Sequence, residues 1–262
     1  MGLLDFQIAL GRSVRMGESK NAFRGLRLTP DERDQLAALS ATNGYRFTVD
    51  VQRSWCCGRA AKSAQLTLSA LSTEQRSDLL SKWVNSGGGT ASFYGIEAES
   101  FLTFISKHLP NPSHELTICQ FEQVTQRIIS YNSDFGSTDF SGHFTPASRL
   151  QRGRSAGLVW FYAEPNHVLG SLLNHQLLPP LSSEGIPIIF SSGIEGLYRR
   201  AVGDEANLWE RLDNSESAAT LLDEGYYVKT IQHLLLVGVL ESGDNLPQNQ
   251  TERRNPESDL FT

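Results

Sequence analysis

Cysteine is scarce in this sequence, with three residues among 262, at Cys56, Cys57 and Cys119. Adjacent cysteines rarely bridge each other, because a disulfide strains the peptide between them. An odd and sparse set of thiols is typical of a reducing compartment, so we expect free cysteines in a cytoplasmic protein. Hydrophobic residues make up 39% of the chain, which is enough to form a core without disulfides or metal.

Long apolar runs are also absent. No uncharged apolar stretch reaches the ~18 residues that would cross a bilayer, and the first residues lack the apolar region of a secretion signal. We therefore expect no membrane partner. The formal net charge is −6, whereas proteins that bind nucleic acids usually present a basic surface. The charge therefore predicts no nucleic-acid partner either.

Catalytic and metal-binding motifs are missing as well. The six histidines include no short-spaced pair of the zinc-protease type, and the cysteines have no Cys-x-x-Cys spacing. Gly87, Gly88 and Gly89 are not followed by the Gly-Lys-Ser/Thr of a phosphate-binding loop, so we interpret them as a helix stop. We expect no catalytic residue, metal site or cofactor in this chain, and we interpret the cysteines as packed thiols.

The N-terminal half has the periodicity of helices. Residues 1–28 have few periodic apolar positions and are predicted to be an irregular N-terminal arm. Capping boxes over Thr29–Glu32 and Ser72–Gln75 then predict two helix starts. We predict an all-helical domain over residues 29–131, in which residues 45–71 form one long helix.

The C-terminal half has a mixed pattern. Turn-forming residues dominate residues 132–156, which are predicted to be a linker. Strands are then predicted at residues 158–162, 186–190 and 197–202, and three short helices follow. We predict a small winged-helix-like domain with an antiparallel sheet and three helices over residues 157–242, and a disordered tail over residues 243–262. The predicted fold class is therefore α+β, with an N-terminal all-helical domain before the small sheet domain.

A small domain in which strands are followed by three short helices has two common uses. In one, its third helix reads DNA, but here that helix has few polar side chains and many acidic residues surround it. In the other, a peptide adds as a strand to the open edge of the sheet. The alternative that the last strand is fully paired within its own chain stays equally open. The candidate peptide-binding residues are Leu197, Tyr198, Arg199, Arg200 and Ala201 in that strand, with Lys229, Gln232 and His233 in the third helix.

Two sets of residues resemble known families. In the C-terminal half, residues 186–190 (IPIIF), 205–212 (EANLWERL) and 228–240, which end in VGVL, resemble the peptide recognition element of the PqqD type. In the N-terminal half, residues 54–62 (SWCCGRAAK), 87–93 (GGGTASF) and 108–117 (HLPNPSHELT) are similar to the methanobactin biosynthesis family MbnC. The resemblance spans roughly residues 29–240.

The resemblance implies a specific function. Proteins of the MbnC family pair with an MbnB-like TIM-barrel enzyme that holds a multinuclear iron centre. Together they convert cysteines of a precursor peptide into oxazolone and thioamide groups. The iron would belong to the partner, and this chain would be a non-catalytic subunit that binds the leader and presents the core peptide. The arginines of the strand would suit an acidic leader.

Three alternatives remain at this stage. The chain could be an adaptor for another cysteine-modifying MbnB-like enzyme, a winged-helix DNA-binding regulator, or a free-standing thiol enzyme. The nature of the precursor peptide separates the first alternative from methanobactin biosynthesis. Salt-sensitive binding to duplex DNA would support the second, and activity that depends on the cysteines would support the third.

Overall fold

A computed structural model describes residues 3–16, 23–89, 94–135 and 140–243. The described part of the chain divides into two compact units, with the boundary between Lys107 and His108. Helices form the first unit, and the second contains helices and two small antiparallel sheets, so the predicted α+β class is confirmed. None of the helices in these ranges is long and apolar enough to cross a membrane.

The first unit is helical throughout its described residues. Its helices are α1 (Leu3–Met16), α2 (Pro30–Ser40), α3 (Asn43–Ser63), α4 (Gln65–Ala70), α5 (Thr73–Asn85) and α6 (Tyr94–Ser106). Both predicted capping boxes are confirmed. The Thr29 side chain accepts from the amide of Glu32, and the Ser72 side chain accepts from the amide of Gln75. These caps fix where α2 and α5 begin.

Two stretches of this unit differ from the sequence prediction. The arm that was predicted to be irregular contains α1, because Ala9 is buried beside Leu28 and Leu36 in a small apolar cluster. The single helix predicted for residues 45–71 is interrupted at Ala64, where φ is −124°, so α3 and α4 are separate helices. A propensity argument did not detect this break because alanine favours helix.

The three glycines after α5 form the predicted helix stop. The amide of Gly88 donates to the carbonyl of Trp83 at 3.0 Å, and φ at Gly87 and Gly89 is +91° and +79°. A Cβ on Gly88 would lie 2.3 Å from the Trp83 ring, and one on Gly89 would lie 2.6 Å from Cβ of Cys56. Close packing of the turn therefore explains this glycine run.

The second unit combines helices with short strands. Its helices are α7 (His114–Phe135), α8 (Pro165–Leu173), α9 (Glu205–Arg211), α10 (Ala218–Asp223) and α11 (Val228–Leu236). Its strands are β1 (Arg149–Arg152), β2 (Ala156–Phe161), β3 (Ile186–Ser191), β4 (Tyr198–Arg200), β5 (Glu216–Ser217) and β6 (Leu240–Ser242). The predicted disordered tail, apart from Gly243, lies outside the described residues.

Helix α7 belongs to the second unit, although the sequence placed it at the end of the helical domain. The ring of Phe121 lies 5.9 Å from Phe161, 5.4 Å from Phe190 and 5.3 Å from Tyr198, all on the sheet. The apolar stripe of α7 thus packs against strands of the second unit. The boundary between units consequently falls at residue 107 rather than at residue 131.

Part of the predicted linker is a strand. Strand β1 pairs antiparallel with β5 on one side and β6 on the other, and Leu150 at its centre is fully buried. The guanidinium of Arg152 donates to the carbonyls of Trp209 and Glu210 at 2.7 and 3.1 Å. These carbonyls lie in the last turn of α9, where helical acceptors have no partner in the helix. The turn-rich composition of residues 132–156 predicted a linker, so this strand pairing was not predicted from the sequence.

The sheet β2–β3–β4 is antiparallel and is covered on both faces. Helix α7 covers the face that carries Phe190 and Tyr198. On the other face, Leu158 and Ile189 join the core that also contains buried residues of α9, α10 and α11. Helices therefore occupy both faces of this sheet, and its edge strands are the places where a further strand can pair.

Gly157 on β2 sets how closely α7 approaches the sheet. A Cβ at this position would lie 2.6 and 2.9 Å from the two methyl groups of Val124. We expect Gly157→Ala to lower the free energy of unfolding by about 1–3 kcal/mol, because overpacking forces the helix away from the strand. Thermal denaturation measures this change.

Gly170→Ala is the matched control for this substitution. Gly170 lies within α8, and a Cβ there meets no atom within 4 Å. Alanine should be neutral there or raise the free energy of unfolding by up to about 1 kcal/mol, since it favours helix over glycine. Equal stability of the two variants would contradict the assigned contact with Val124.

Candidate functional site

Strand β4 is an edge strand, with β3 on one side only. The amide of Ser191 donates to the carbonyl of Leu197 at 3.0 Å, and the amide of Ala201 donates to the carbonyl of Pro187 at 2.9 Å. Backbone groups alternate in direction along an antiparallel strand. The amides and carbonyls of Tyr198 and Arg200 therefore point away from β3.

Three of these four outward groups are open. Within the described ranges, no hydrogen bond is made by the amide or carbonyl of Tyr198 or by the amide of Arg200. The carbonyl of Arg200 accepts from the side chain of Arg199 at 3.0 Å. The next outward amide, on Val202, donates to Glu205 at 2.9 Å. The alternative that this strand is paired on both sides within its own chain thus does not hold for the described residues.

The opposite edge of the sheet, on β2, is partly occupied by side chains of α7. The side chain of Arg127 donates to the carbonyl of Ala156 at 2.6 Å. The hydroxyl of Thr117 donates to the carbonyl of Trp160 at 3.0 Å. Side chains of α7 thus occupy two acceptors that an added strand would need on β2, whereas within the described residues none of them bonds to the outward groups of β4.

Arg199 is not available as a peptide ligand. Its guanidinium donates to both oxygens of Glu205, at 2.6 and 2.7 Å, and the Glu205 residue is only 2% exposed. Glu205 also accepts from the amide of Val202. This bidentate pair ties the end of β4 to the start of α9, which is a structural role.

Arg200 is the accessible arginine of the strand. Its side chain is 57% exposed and pairs with the exposed Glu164 at 3.3 Å. An exposed pair of this kind is weak, so a carboxylate of a ligand can compete with Glu164. The neighbouring Tyr198 packs its ring against Phe121 and Phe190, so it contributes to the core as well as to the edge. Leu197 and Ala201 direct their backbone groups to β3.

Lys229, Gln232 and His233 all lie on the exposed side of α11, whereas Ile231 and Leu234 are buried. Burial, together with Glu224 and Asp204, raises the pKa of Tyr226, just before this helix, above its usual value. In the described structure no hydrogen bond joins the three polar side chains to β4. Their exposure is what makes them available to a peptide.

Three exposed apolar residues of this unit were not identified from the sequence as surface positions. Val202 follows β4, Tyr227 is the N-cap of α11 and Val228 is its first residue; all three are exposed. Periodicity assigned Val228 to the buried side of its helix, because it lies three residues before Ile231. The first turn of α11 is more exposed than its later turns, so the pattern and the burial differ there. Of the three, Val202 directly continues the chain from β4.

The thiols do not form a reactive group. Cys56 is buried and donates to the carbonyl of Gly89 at 3.2 Å, and Cys119 is buried in α7. Burial raises the pKa of Cys57, and Cys56 raises it further, although Arg53 opposes the change. A raised pKa leaves little thiolate at neutral pH. No group of three or more metal-ligating side chains occurs in the part of the chain that the structure describes.

Comparison with known proteins assigns no family to this chain. No protein-family model matches it, and no curated protein is similar to it. The open β4 edge is therefore the structural feature that points to a function for this chain.

Proposed function

We propose that this chain is a non-catalytic subunit that binds the leader of a precursor peptide by strand addition to β4. It presents the cysteines of the core peptide to an MbnB-like iron oxygenase, which forms oxazolone and thioamide groups as in methanobactin biosynthesis. The observation that carries the proposal is the set of unpaired outward backbone groups at Tyr198 and Arg200, on a sheet whose other edge has two carbonyls occupied by α7. The iron belongs to the partner enzyme.

The unpaired backbone groups of β4 are expected to bind a peptide with low affinity by themselves. Three unpaired backbone groups support about three hydrogen bonds, each of which contributes about 1 kcal/mol net. Backbone pairing of this kind gives affinity with little dependence on sequence, and side chains next to it select the peptide. Arg200, Val202 and Tyr227 occupy those positions here.

The order of elements supports the same proposal. Strands β3 and β4 are followed by α9, the two-residue strand β5, α10 and α11, and this order resembles that of a winged-helix-like module. In this interpretation the peptide lies between β4 and the exposed side of α11, where Lys229, Gln232 and His233 border it. The chain would then hold the leader at one end while the core peptide extends towards the partner enzyme.

The charges of this unit favour a peptide over duplex DNA. A duplex-binding surface needs several unpaired cations that contact phosphates. Five arginines of the second unit are instead paired with carboxylates, namely Arg152 with Asp213, Arg154 with Glu241, Arg199 with Glu205, Arg200 with Glu164, and Arg211 with Glu216 and Glu224. These pairs reduce the positive potential that DNA would require.

The proposal is tested by reconstitution with an MbnB-like enzyme and the precursor peptide encoded beside it. We expect the chain to co-purify with the enzyme and the peptide to change mass only when both proteins are present. Mass spectrometry of the peptide measures this. Modification by either protein alone would overturn the non-catalytic role. A complex that modifies cysteines of a different precursor would instead favour the related adaptor function.

A further inference from the structure

The open part of the β4 edge is short, and one ion pair ends it on the C-terminal side. The guanidinium nitrogen of Arg199 that binds Glu205 also donates to the carbonyl of Arg200 at 3.0 Å. The same carboxylate oxygen of Glu205 accepts from the amide of Val202 at 2.9 Å. The Arg200 carbonyl and the Val202 amide are the two outward groups that follow the Arg200 amide along the chain, so the ion pair occupies both of them.

A tight turn ends the open part on its N-terminal side. The backbone φ is +73° at Gly196 and +72° at Leu197, so the chain is left-handed rather than extended there. Within this turn the amide of Leu197 donates to the carbonyl of Ile194 at 2.8 Å. An incoming strand therefore begins to pair with β4 at Tyr198.

Three open backbone groups of β4 lie between these two limits. Two are donors, the amides of Tyr198 and Arg200, and one is an acceptor, the carbonyl of Tyr198. Strands pair by matching each backbone donor with an acceptor of the neighbouring strand. A ligand strand must therefore supply two backbone carbonyls but a single backbone amide.

We propose that the ligand of β4 is a short extended segment in which one residue alone donates its backbone amide to this chain. This inference rests on the proposed function, because it specifies the segment that strand addition selects. The segment presents the amide and the carbonyl of one residue, together with the carbonyl two residues before it. Its other amides along β4 stay bonded to water at the exposed edge.

The same segment fits β4 in either direction. In an antiparallel strand, the residue opposite Tyr198 exchanges both hydrogen bonds with it, and the carbonyl two residues earlier accepts from Arg200. In a parallel strand, the residue that donates to Tyr198 accepts from Arg200, and the carbonyl two residues earlier accepts from the amide of Tyr198. The requirement for one amide therefore does not depend on the orientation of the peptide.

The ion pair that limits the edge is held firmly in the fold. Glu205 is only 2% exposed, so separating it from Arg199 would leave a buried charge without compensation. The bond from the guanidinium to the Arg200 carbonyl is charge-assisted, so a neutral peptide amide competes poorly for that carbonyl. A ligand thus displaces the exposed Glu164 more readily than it displaces Arg199. The protein rather than the peptide sets the length of the pairing.

Amide-to-ester exchange along the leader of the precursor peptide tests the inference on the full chain. Each peptide of the series replaces one backbone N–H by an oxygen and keeps the rest of the leader. We expect one position to weaken binding by about fivefold or more, which corresponds to one hydrogen bond. The positions two residues before and after it, which a longer ladder would use, should bind within about twofold of the unchanged leader. Fluorescence anisotropy measures each affinity.

Arg199→Lys tests the same limit from the protein side. It keeps the charge beside Glu205, but a single ammonium replaces the planar group that reaches Glu205 and the Arg200 carbonyl together. The freed carbonyl should accept a second peptide amide, so a second sensitive position appears two residues from the first. Arg211→Lys is the control, because Arg211 also binds two carboxylates in this unit but lies away from β4, and one sensitive position should remain.

The outcomes separate this inference from the proposed function. Sensitive positions at two or more alternate residues of the leader, with the wild-type chain, would show that pairing continues past Arg200. The inference would then be wrong, although strand addition would stand. A leader that does not bind, or one that binds without any sensitive amide, would overturn strand addition to β4 and the inference with it. The wild-type series distinguishes these outcomes whether or not Arg199→Lys folds.

Discussion

Arg200→Pro should lower the affinity for the leader peptide by about tenfold or more, while the protein stays folded. Proline removes the outward amide of residue 200, and its ring occupies the space of the incoming strand. The loss of one backbone hydrogen bond and the obstruction of its neighbour together exceed about 1.4 kcal/mol, which is tenfold in affinity. Fluorescence anisotropy with a labelled leader of the precursor peptide measures the change.

The fold should tolerate this proline. The carbonyl of Leu197 and the amide of Ala201 bond to β3 on either side of β4, Arg199 is paired with Ile189 between them, and the amide of Arg200 points away from β3. Proline is compatible with an outward amide on an edge strand. The control is Arg200→Ala, which keeps the amide and removes only the side chain. If both variants lost the same affinity, the side chain rather than the backbone would bind the peptide.

Glu205→Ala should be among the most destabilising single substitutions in the second unit. The carboxylate accepts two hydrogen bonds from Arg199 and one from the amide of Val202, and the residue is nearly fully buried. Its removal leaves a partly buried guanidinium without its carboxylate and the Val202 amide without its acceptor. We expect the free energy of unfolding to fall by about 3 kcal/mol, because one charge of a buried pair is left uncompensated. Denaturant titration measures the difference.

Glu164→Ala provides the matched comparison for Glu205→Ala. It breaks the other arginine–glutamate pair of the strand, in which both side chains are about half exposed. Exposed pairs contribute about 0–1 kcal/mol, so stability should change little. The same substitution also frees the side chain of Arg200 for an acidic ligand. Similar losses of stability in the two variants would contradict the distinction between a structural and an accessible arginine.

Short-range signals in the sequence predicted where helices begin better than they predicted which other elements a helix or strand packs against. The capping boxes at Thr29 and Ser72 were found because the residues that make them are three positions apart. The place of α7 was not found, because an apolar stripe indicates that a helix buries one side but does not indicate what covers it. Strand β1 was missed for a related reason, since its partners β5 and β6 lie far along the chain.

The candidate site was predicted in part. The strand at residues 197–202 was recognised from its pattern, and its position at the edge of the sheet agrees with a strand-addition site. The sequence did not show that the arginines of this strand pair with carboxylates. Glu205 reaches Arg199 only through the turn into α9, and Glu164 lies 36 residues before Arg200. The exposed Val202 and Tyr227 were missed because periodicity describes an isolated element rather than the edge of a core.

The hydrogen bonds from α7 to β2 affect how this sheet could grow by pairing with other copies of the chain. A sheet with two free margins can recruit copies on both sides and grow without limit into a fibre. Here Arg127 and Thr117 occupy two carbonyls along β2, so addition of a strand from another copy is less favourable there than at β4. Repeated strand addition to this sheet is thereby disfavoured relative to a sheet with two open margins.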